Sequence, residues 1–138
     1  MVNSLMFMEK VFFITGTSKG IGRYLAEYYL SCGNIVIGCS RSESDLTHAN
    51  YTHFELDISI EKNILSVFKH IRKEYKKIDV LINNAAINPT ILPAALLPSK
   101  VIEDTYRVNV FAPMILCREA IKLMGRKKQG RIINFSSM

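Results

Sequence analysis

The chain has 138 residues, of which 49% are hydrophobic and 22% charged, and its formal net charge is +6. This composition is typical of one globular domain, and no apolar stretch approaches the roughly 20 residues that a membrane-spanning helix needs. The apolar segment 5–8 has no basic region before it and no small-residue cleavage site after it, which argues against a secretory signal.

Short segments of β-branched and aromatic residues alternate with longer segments of helical period, which predicts β-α-β units and a parallel sheet. The polar stretch 42–50 is expected to form a turn-rich connection, Gly33 to end the first helix and Ser59 to cap the second. A loop over 89–98 carries three prolines and precedes the third helix. The predicted strands are 11–15, 35–39, 54–56, 80–83 and 131–135, and the predicted helices are 21–31, 60–75 and 100–124.

Crossover connections between parallel strands are right-handed, so these elements predict a doubly wound α/β sheet of order 3-2-1-4-5. No repeat, low-complexity tract or linker divides the chain, and we expect residues 1–138 to form one domain. Ligands bind such sheets at the carboxyl ends of the strands. The chain stops almost at the end of the fifth strand, at the edge where the chemistry is expected.

A glycine-rich turn, Thr15–Gly22, joins the first strand to the first helix. Gly16 permits a sharp turn, whereas Gly20 and Gly22 remove side chains where the backbone approaches a pyrophosphate and the helix packs on the sheet. Backbone N–H groups at the helix start would face the anion. A bare structural turn is the alternative, but the position between a buried strand and a helix favours a dinucleotide site. The cofactor-binding candidates here are Gly16, Thr17, Ser18, Lys19, Gly20, Ile21 and Gly22.

The residues after the second strand bear on which dinucleotide binds. An acidic residue there would bind the ribose 2′-hydroxyl of NAD, but Ser40 and Arg41 occupy the position. Arg41 suits a 2′-phosphate, and Lys19 could approach the same group, so the pair favours NADP(H) over NAD(H). Glu43 and Asp45 lie slightly farther along and could serve as the ribose acid if the strand ends elsewhere. A plain surface charge is the alternative for Arg41.

The basic charge and the cysteines say less about function. Lysines and arginines in 69–77 alternate with apolar residues, as on the solvated face of an amphipathic helix, and we expect neither a nucleic-acid nor a membrane partner. Cys32, Cys39 and Cys117 are odd in number and have no C-x-x-C spacing. This pattern favours reduced thiols in a cytoplasmic protein and argues against a metal site.

Over nearly the whole chain, the motifs resemble, in order, those of the short-chain dehydrogenase/reductase family, particularly its 3-oxoacyl-carrier-protein reductase branch. Thr15–Gly22 resembles the family's T-G-x-x-x-G-x-G turn, and Asn83-Asn84-Ala85-Ala86 resembles its N-N-A-G sequence. Ser136-Ser137 resembles the serine pair that ends strand five. The resemblance implies a Rossmann-type sheet, cofactor contacts from Asp57, Ile58, Asn84, Ala85 and Ala86, and catalytic roles for Ser137 and Asn109.

Two of these assignments have structural alternatives, and a third residue departs from the family's sequence. Asn109 lies on an otherwise apolar helix stripe and could merely tie off backbone groups there, whereas the resemblance implies that it holds a water in a proton relay. Asp57 could simply favour the start of the next helix. Ala86 stands where the family usually has glycine, and its methyl group lies near the expected ribose path.

The family's mechanism needs a tyrosine that exchanges a proton with the substrate oxygen and a lysine that lowers the pKa of that tyrosine. None of the chain's tyrosines has a lysine four residues later, and that motif normally follows the serine pair. We therefore expect the chain, truncated after strand five, to be the inactive cofactor-binding part of a longer NADP(H)-dependent oxidoreductase. Its substrate would be a small carbonyl or alcohol and the parent protein a homo-oligomer. A non-catalytic NADP(H)-binding or interaction module is the alternative.

Overall fold

The computed structural model describes residues 9–89 and 92–136, which form a parallel five-stranded sheet with helices on both faces. The strands lie in the order β3-β2-β1-β4-β5, so the predicted doubly wound order is confirmed. In chain order they are β1 (Val11–Thr15), β2 (Ile35–Ser40), β3 (Tyr51–Glu55), β4 (Val80–Asn83) and β5 (Arg131–Asn134).

The two sheet faces are covered by different helices, α1 (Gly20–Ser31) on one and α2 (Glu61–Glu74) on the other. Successive residues of β1 show this division, because neighbouring strand residues point to opposite faces. Phe12 stacks on Tyr29 of α1 with ring centroids 4.0 Å apart, and Phe13 meets Phe68 of α2 edge to face at 5.6 Å. Phe12, Phe13 and Phe68 are buried, and each contributes about 2 kcal/mol to the hydrophobic core.

The predicted third helix is continuous but contains a wider turn. It consists of α3 (Ser99–Tyr106), a π-helical turn (Arg107–Phe111) and α4 (Ala112–Met124), preceded by a short 3₁₀ turn at Ala94–Leu96. Pro113 has no N–H to donate to the carbonyl of Asn109, four residues earlier, so an uninterrupted α-helix would lose that hydrogen bond. The widened turn accommodates this loss.

One predicted strand was misplaced, because β3 spans Tyr51–Glu55 instead of 54–56. Its register explains the shift: Tyr51 pairs with Val36 and Thr52 with Ile37 of β2. Pairing with a buried neighbour extends the strand into residues whose local context is polar. The other strands and helices begin and end within one residue of their predicted bounds.

One local detail of the helices was also predicted wrongly. Ser59 does not cap α2; the N-cap is Ile60, and the Ser59 N–H instead donates to Oδ1 of Asp57 at 2.8 Å. The inward face of α1 carries Gly22, Ala26 and Leu30, whereas Ile21 and Tyr28 are exposed. Gly33 does follow the end of α1, with φ +79° and its N–H bonded to the carbonyl of Leu30 at 2.9 Å.

Within the described ranges, no helix combines the length and hydropathy that crossing a bilayer requires.

Candidate functional site

The carboxyl ends of β1, β2, β3 and β4 surround a cavity of about 390 Å³. The glycine turn forms one wall, and the segments that follow β2, β3 and β4 form the others. Its lining residues are Gly16, Ser18, Lys19, Gly20, Cys39, Ser40, Arg41, Ser42, Leu56, Asp57, Ile58, Asn84, Ala85, Ala86, Ile87 and Val108.

Most of the predicted cofactor-binding residues therefore line one cavity, and three do not. Thr17 is fully buried beneath the turn, and Gly22 is buried where α1 meets the turn. Ile21 is 59% exposed and faces a neighbouring, larger cavity. The sequence analysis did not identify Cys39, Ser42, Leu56, Ile87 or Val108 as lining residues, because they are ordinary strand-end and loop residues with no motif of their own.

The turn requires glycine at two positions for different reasons. Gly16 has φ +77°, and its N–H donates to the carbonyl of Cys39 at 2.7 Å, which ties the turn to the end of β2. A Cβ atom on Gly22 would lie 2.2 Å from the carbonyl oxygen of Gly16, so a side chain there would push α1 off the turn. The N-terminus of α1 has no side-chain cap, and its first N–H groups remain available to an anion.

Asn84 holds the other side of the turn. Its Nδ2 donates to the carbonyl oxygens of Thr15 at 3.0 Å and Gly16 at 3.3 Å. Oγ1 of the buried Thr15 in turn accepts from the backbone N–H groups of Asn84 at 3.1 Å and Ala85 at 3.0 Å. These four bonds fix the loop after β4 against the glycine turn. Among the described residues Oδ1 of Asn84 has no donor, so it can accept a further hydrogen bond.

The rim of the cavity near β2 is positively charged. Lys19 and Arg41 are exposed there, and neither forms an ion pair with any residue in the described part of the chain. Asp45, an alternative ribose acid, is instead bound to Arg23, and hydrogen bonding to that guanidinium lowers the pKa of Asp45. The rim therefore presents cations whose charge is not neutralised locally.

Asp57 lines the cavity and also organises the start of α2. Its Oδ1 accepts from the Ser59 N–H at 2.8 Å, and its carbonyl accepts from Nδ2 of Asn63 at 2.9 Å. Asp57 therefore supports the start of α2, which is the structural alternative for this residue. Its second carboxylate oxygen has no hydrogen bond within the described ranges.

A second, larger cavity of about 1450 Å³ adjoins the first and shares the loop 84–87 with it. Asn109 reaches this loop from the π-helical turn. Its Nδ2 donates to the carbonyl of Ile87 at 2.8 Å, and its Oδ1 accepts from the Ile87 N–H at 2.9 Å. The amide of Asn109 thus forms hydrogen bonds with backbone groups, as its structural alternative predicts. Those groups belong to the loop 84–87, however, and not to the helix.

The end of β5 forms part of the larger cavity. Buried Asn83 donates from Nδ2 to Oδ1 of Asn134 at 2.7 Å, which joins β4 to β5 beside the opening. Ser136 is exposed and lines this cavity. Ser137, the predicted catalytic serine, lies outside the described residues.

Cys39 contributes a thiol to the wall of the smaller cavity. Cys39 is completely buried, and burial raises the pKa of its thiol to about 12. Across residues 9–89 and 92–136, no three His, Cys, Asp or Glu side chains are grouped so that they could hold a metal ion. The cavity therefore offers backbone N–H groups, two free cations and polar side chains for binding a ligand.

Comparison with known proteins assigns this arrangement to a family. The family model described as short chain dehydrogenase matches residues 10–138. The 3-oxoacyl-[acyl-carrier-protein] reductase FabG of Salmonella typhimurium is 34% identical over 140 residues, an alignment that covers 97% of this chain and 57% of the reductase. The chain thus spans little more than half the length of the curated relatives that it matches first.

Solved structures of similar fold hold either dinucleotide. A short-chain dehydrogenase from Leptospira borgpetersenii with bound NAD+ superimposes with a TM-score of 0.86 at 28% identity, covering 94% of this chain and 52% of that one. A metagenomic short-chain oxidoreductase in complex with NADP gives a TM-score of 0.87 at 27% identity, with coverages of 94% and 62%.

Proposed function

The chain belongs to the short-chain dehydrogenase family, and we propose that it is the NADP(H)-binding part of an oxidoreductase acting on a small carbonyl or alcohol. The observation that carries the NADP(H) preference is the pair of exposed cations, Lys19 and Arg41, on the rim of the smaller cavity. When bound, the nicotinamide gives or takes the hydride. The residues of this chain bind and orient it.

The glycine turn fits the pyrophosphate of a dinucleotide. A Cβ atom on Gly20 would meet nothing within 4 Å, so the backbone beside the uncapped start of α1 is open to a ligand. The helix dipole adds a partial positive charge at the same place. These features support a pyrophosphate site between the turn and the loop after β4.

The charge of the rim supports a 2′-phosphate on the adenosine ribose. Arg41 directly follows β2, which ends at Ser40, and Lys19 projects from the glycine turn on the same cavity. A phosphate dianion gains from two such cations, whereas the 2′-hydroxyl of NAD(H) gains little. One feature argues against a phosphate here: the exposed Glu43 lies two residues after Arg41, and its carboxylate would repel a phosphate. We infer that the two cations outweigh this single carboxylate.

We infer that the two cavities divide the dinucleotide between them. Asp57 and Ile58 would contact the adenine end, and the loop 84–87, which both cavities share, would contact the middle. The nicotinamide end would extend into the larger cavity beside Asn109 and the end of β5. Asn109 would act on the cofactor by holding Ile87, and its amide would retain one lone pair for a water.

We expect the 138-residue chain to bind cofactor without turning over a ketone, since none of its tyrosines precedes a lysine by four residues. That same feature favours the second candidate function, a non-catalytic NADP(H)-binding module. The absence of disulfides among Cys32, Cys39 and Cys117 supports a cytoplasmic location. Exposed apolar side chains along the third helix support homo-oligomerisation of the whole protein: Tyr106, Phe111, Met114 and Ile121.

Calorimetric titration of the chain with NADPH and with NADH tests the proposal. We expect NADPH to bind at least tenfold more tightly, about 1.4 kcal/mol, from its 2′-phosphate contacts. The double substitution K19A/R41D should abolish or reverse this preference. The matched control K62A/R126D makes the same charge change at exposed positions away from both cavities and should leave the preference intact. An unchanged preference in K19A/R41D would refute the assignment of the phosphate site.

A turnover assay tests whether the chain only binds cofactor, which both candidate functions require. NADPH oxidation with a panel of ketones should equal the buffer control. Turnover above that control would contradict the view that this chain only binds cofactor, and would require a proton donor other than the family's tyrosine.

A further inference from the structure

A polar network lies behind the rim of the smaller cavity and is centred on His53 of β3. We propose that His53 is a positioning residue that sets the preference for the 2′-phosphate, by fixing the backbone on both sides of Arg41. The proposal rests on the function proposed above and extends it to a residue outside the cavity lining. None of the family motifs matched in this sequence includes the histidine.

One ring nitrogen of His53 holds the segment that carries Arg41. Nε2 lies 3.1 Å from the carbonyl oxygen of Ser42 and 3.1 Å from Oγ of Ser40. The Ser40 hydroxyl already donates to the Ser42 carbonyl at 2.6 Å, so neither oxygen has a proton to give the ring. Nε2 must therefore carry the proton and donate it. Both neighbours of Arg41 are thus held by one N–H group.

The other ring nitrogen connects to the glycine turn. Nδ1 lies 2.9 Å from Oη of Tyr51 and 3.4 Å from Oγ1 of Thr17. Tyr51 in turn donates to Thr17 at 3.0 Å, and Thr17 is completely buried. With Nε2 protonated, Nδ1 has no proton of its own, and because Tyr51 gives its single proton to Thr17, the Thr17 hydroxyl is the donor to Nδ1. The ring therefore spans from the Arg41 segment to the turn that carries Lys19.

Gly38 of β2 makes room for the cluster. It pairs directly with His53 in the sheet register. A Cβ atom on Gly38 would lie 2.3 Å from Oγ1 of Thr17 and 2.4 Å from Oη of Tyr51. Any larger residue at this position would displace both hydroxyl groups. Gly38 is the only glycine in β2, and it lies where the hydroxyl groups of Thr17 and Tyr51 pack against the strand.

The consequence is a fixed position for Arg41 on the rim, while the turn that carries Lys19 is also held by Cys39 and Asn84. The Arg41 side chain has no hydrogen bond or ion pair within residues 9–89 and 92–136, so its position depends on its backbone. The Ser40–Ser42 segment is otherwise held at Ser40 by the strand and by short local contacts. Loosening this segment would weaken the binding of NADPH more than that of NADH, because only NADPH has the 2′-phosphate that Arg41 would contact.

Two conservative substitutions separate the two ends of the ring. The amide nitrogen of Gln reaches the position of Nε2, so H53Q can still donate to Ser42 but loses the turn. The amide of Asn reaches only the position of Nδ1, so H53N keeps Tyr51 and Thr17 but releases Ser42. His48 is exposed on the same connection, and H48N is the matched control.

Titration of each variant with NADPH and NADH gives the decisive comparison. We expect H53N to weaken NADPH binding about fivefold, the effect of one lost hydrogen bond, while NADH binding changes by less than about twofold. H53Q and H48N should retain the parent preference within about twofold. Equal losses for both dinucleotides in H53N, or no loss for either, would overturn the proposal.

A second measurement, made without cofactor, tests the role of His53 independently of the proposed NADP(H) preference. In backbone amide spectra of the free chain, H53N should shift the resonances of Arg41 and Ser42, and H53Q those of Thr17 and Tyr51. Unshifted Arg41 and Ser42 resonances in H53N would overturn the role of His53. Equal binding of NADPH and NADH by the parent chain would refute the proposed NADP(H) preference and, with it, the role of His53 in specificity. The spectra would still decide whether the His53 ring holds the backbone beside Arg41.

Discussion

Replacing Gly22 with alanine tests whether close packing between α1 and the loop after β4 holds the glycine turn together. A Cβ atom at residue 22 would lie 2.2 Å from the carbonyl oxygen of Gly16 and 2.5 Å from Nδ2 of Asn84. The nearer atom belongs to the backbone, so it cannot move aside as a flexible side chain could. α1 must therefore shift, and the bonds that Asn84 donates to Thr15 and Gly16 are strained with it.

The expected loss in the free energy of unfolding is about 3 kcal/mol. Overpacking costs about 1–3 kcal/mol, and the two weakened hydrogen bonds of Asn84 cost about 1 kcal/mol each. The higher helix propensity of alanine returns at most about 1 kcal/mol. The variant should also bind NADPH more weakly, because the displaced turn is the proposed pyrophosphate site.

Urea unfolding followed by circular dichroism measures this effect, with Gly20→Ala as the control in the same turn. Gly20 has φ +62° but open space where its Cβ would lie, so G20A carries only the backbone strain of about 1–2 kcal/mol. The dependence on urea concentration should be the same for both variants, since the same surface is exposed on unfolding. The reasoning is refuted if G22A is no less stable than G20A.

Three further predictions, two substitutions and one labelling experiment, test other parts of the structure. Glu119→Gln should cost about 1–2 kcal/mol near neutral pH, because the buried carboxylate accepts from Lys122 at 2.7 Å and Arg118 at 2.9 Å. Burial alone raises the pKa of Glu119, but these hydrogen bonds outweigh burial and lower the pKa. In urea titrations, the greater free energy of unfolding of the parent chain should therefore disappear as the pH falls through that lowered pKa. Iodoacetamide should label the exposed Cys32 in the folded chain but Cys39 only after unfolding in urea, and peptide mass spectrometry identifies the labelled cysteines. Rapid labelling of Cys39 in the folded chain would contradict its burial. Asn109→Ala should remove hydrogen-exchange protection from the Ile87 amide, and retained protection would mean that the loop has another anchor.

The bounds of β1 and β4 could be predicted from the sequence because local chemistry marks them. β1 ends at Thr15, directly before Gly16, whose φ of +77° stops the strand, and the apolar residues of β4 end at the paired asparagines. The strand order followed from the handedness of the crossovers. Elements that depend on distant partners were harder. β3 begins at Tyr51 because β2 offers a buried edge there, and no local signal reports that pairing.

The chemical role of a charged residue depends on its partners, which come from distant parts of the chain. By position alone, Asp45 and Arg41 were both candidates for binding the adenosine ribose. Arg23, on a different element, pairs with Asp45 and removes it from consideration, whereas no described carboxylate neutralises Arg41. His53 gave no local signal either, because its place between the turn and Ser42 follows from the β2–β3 register. The motif locates the turn, but the register of the sheet determines which charges remain available to a ligand and how firmly they are held.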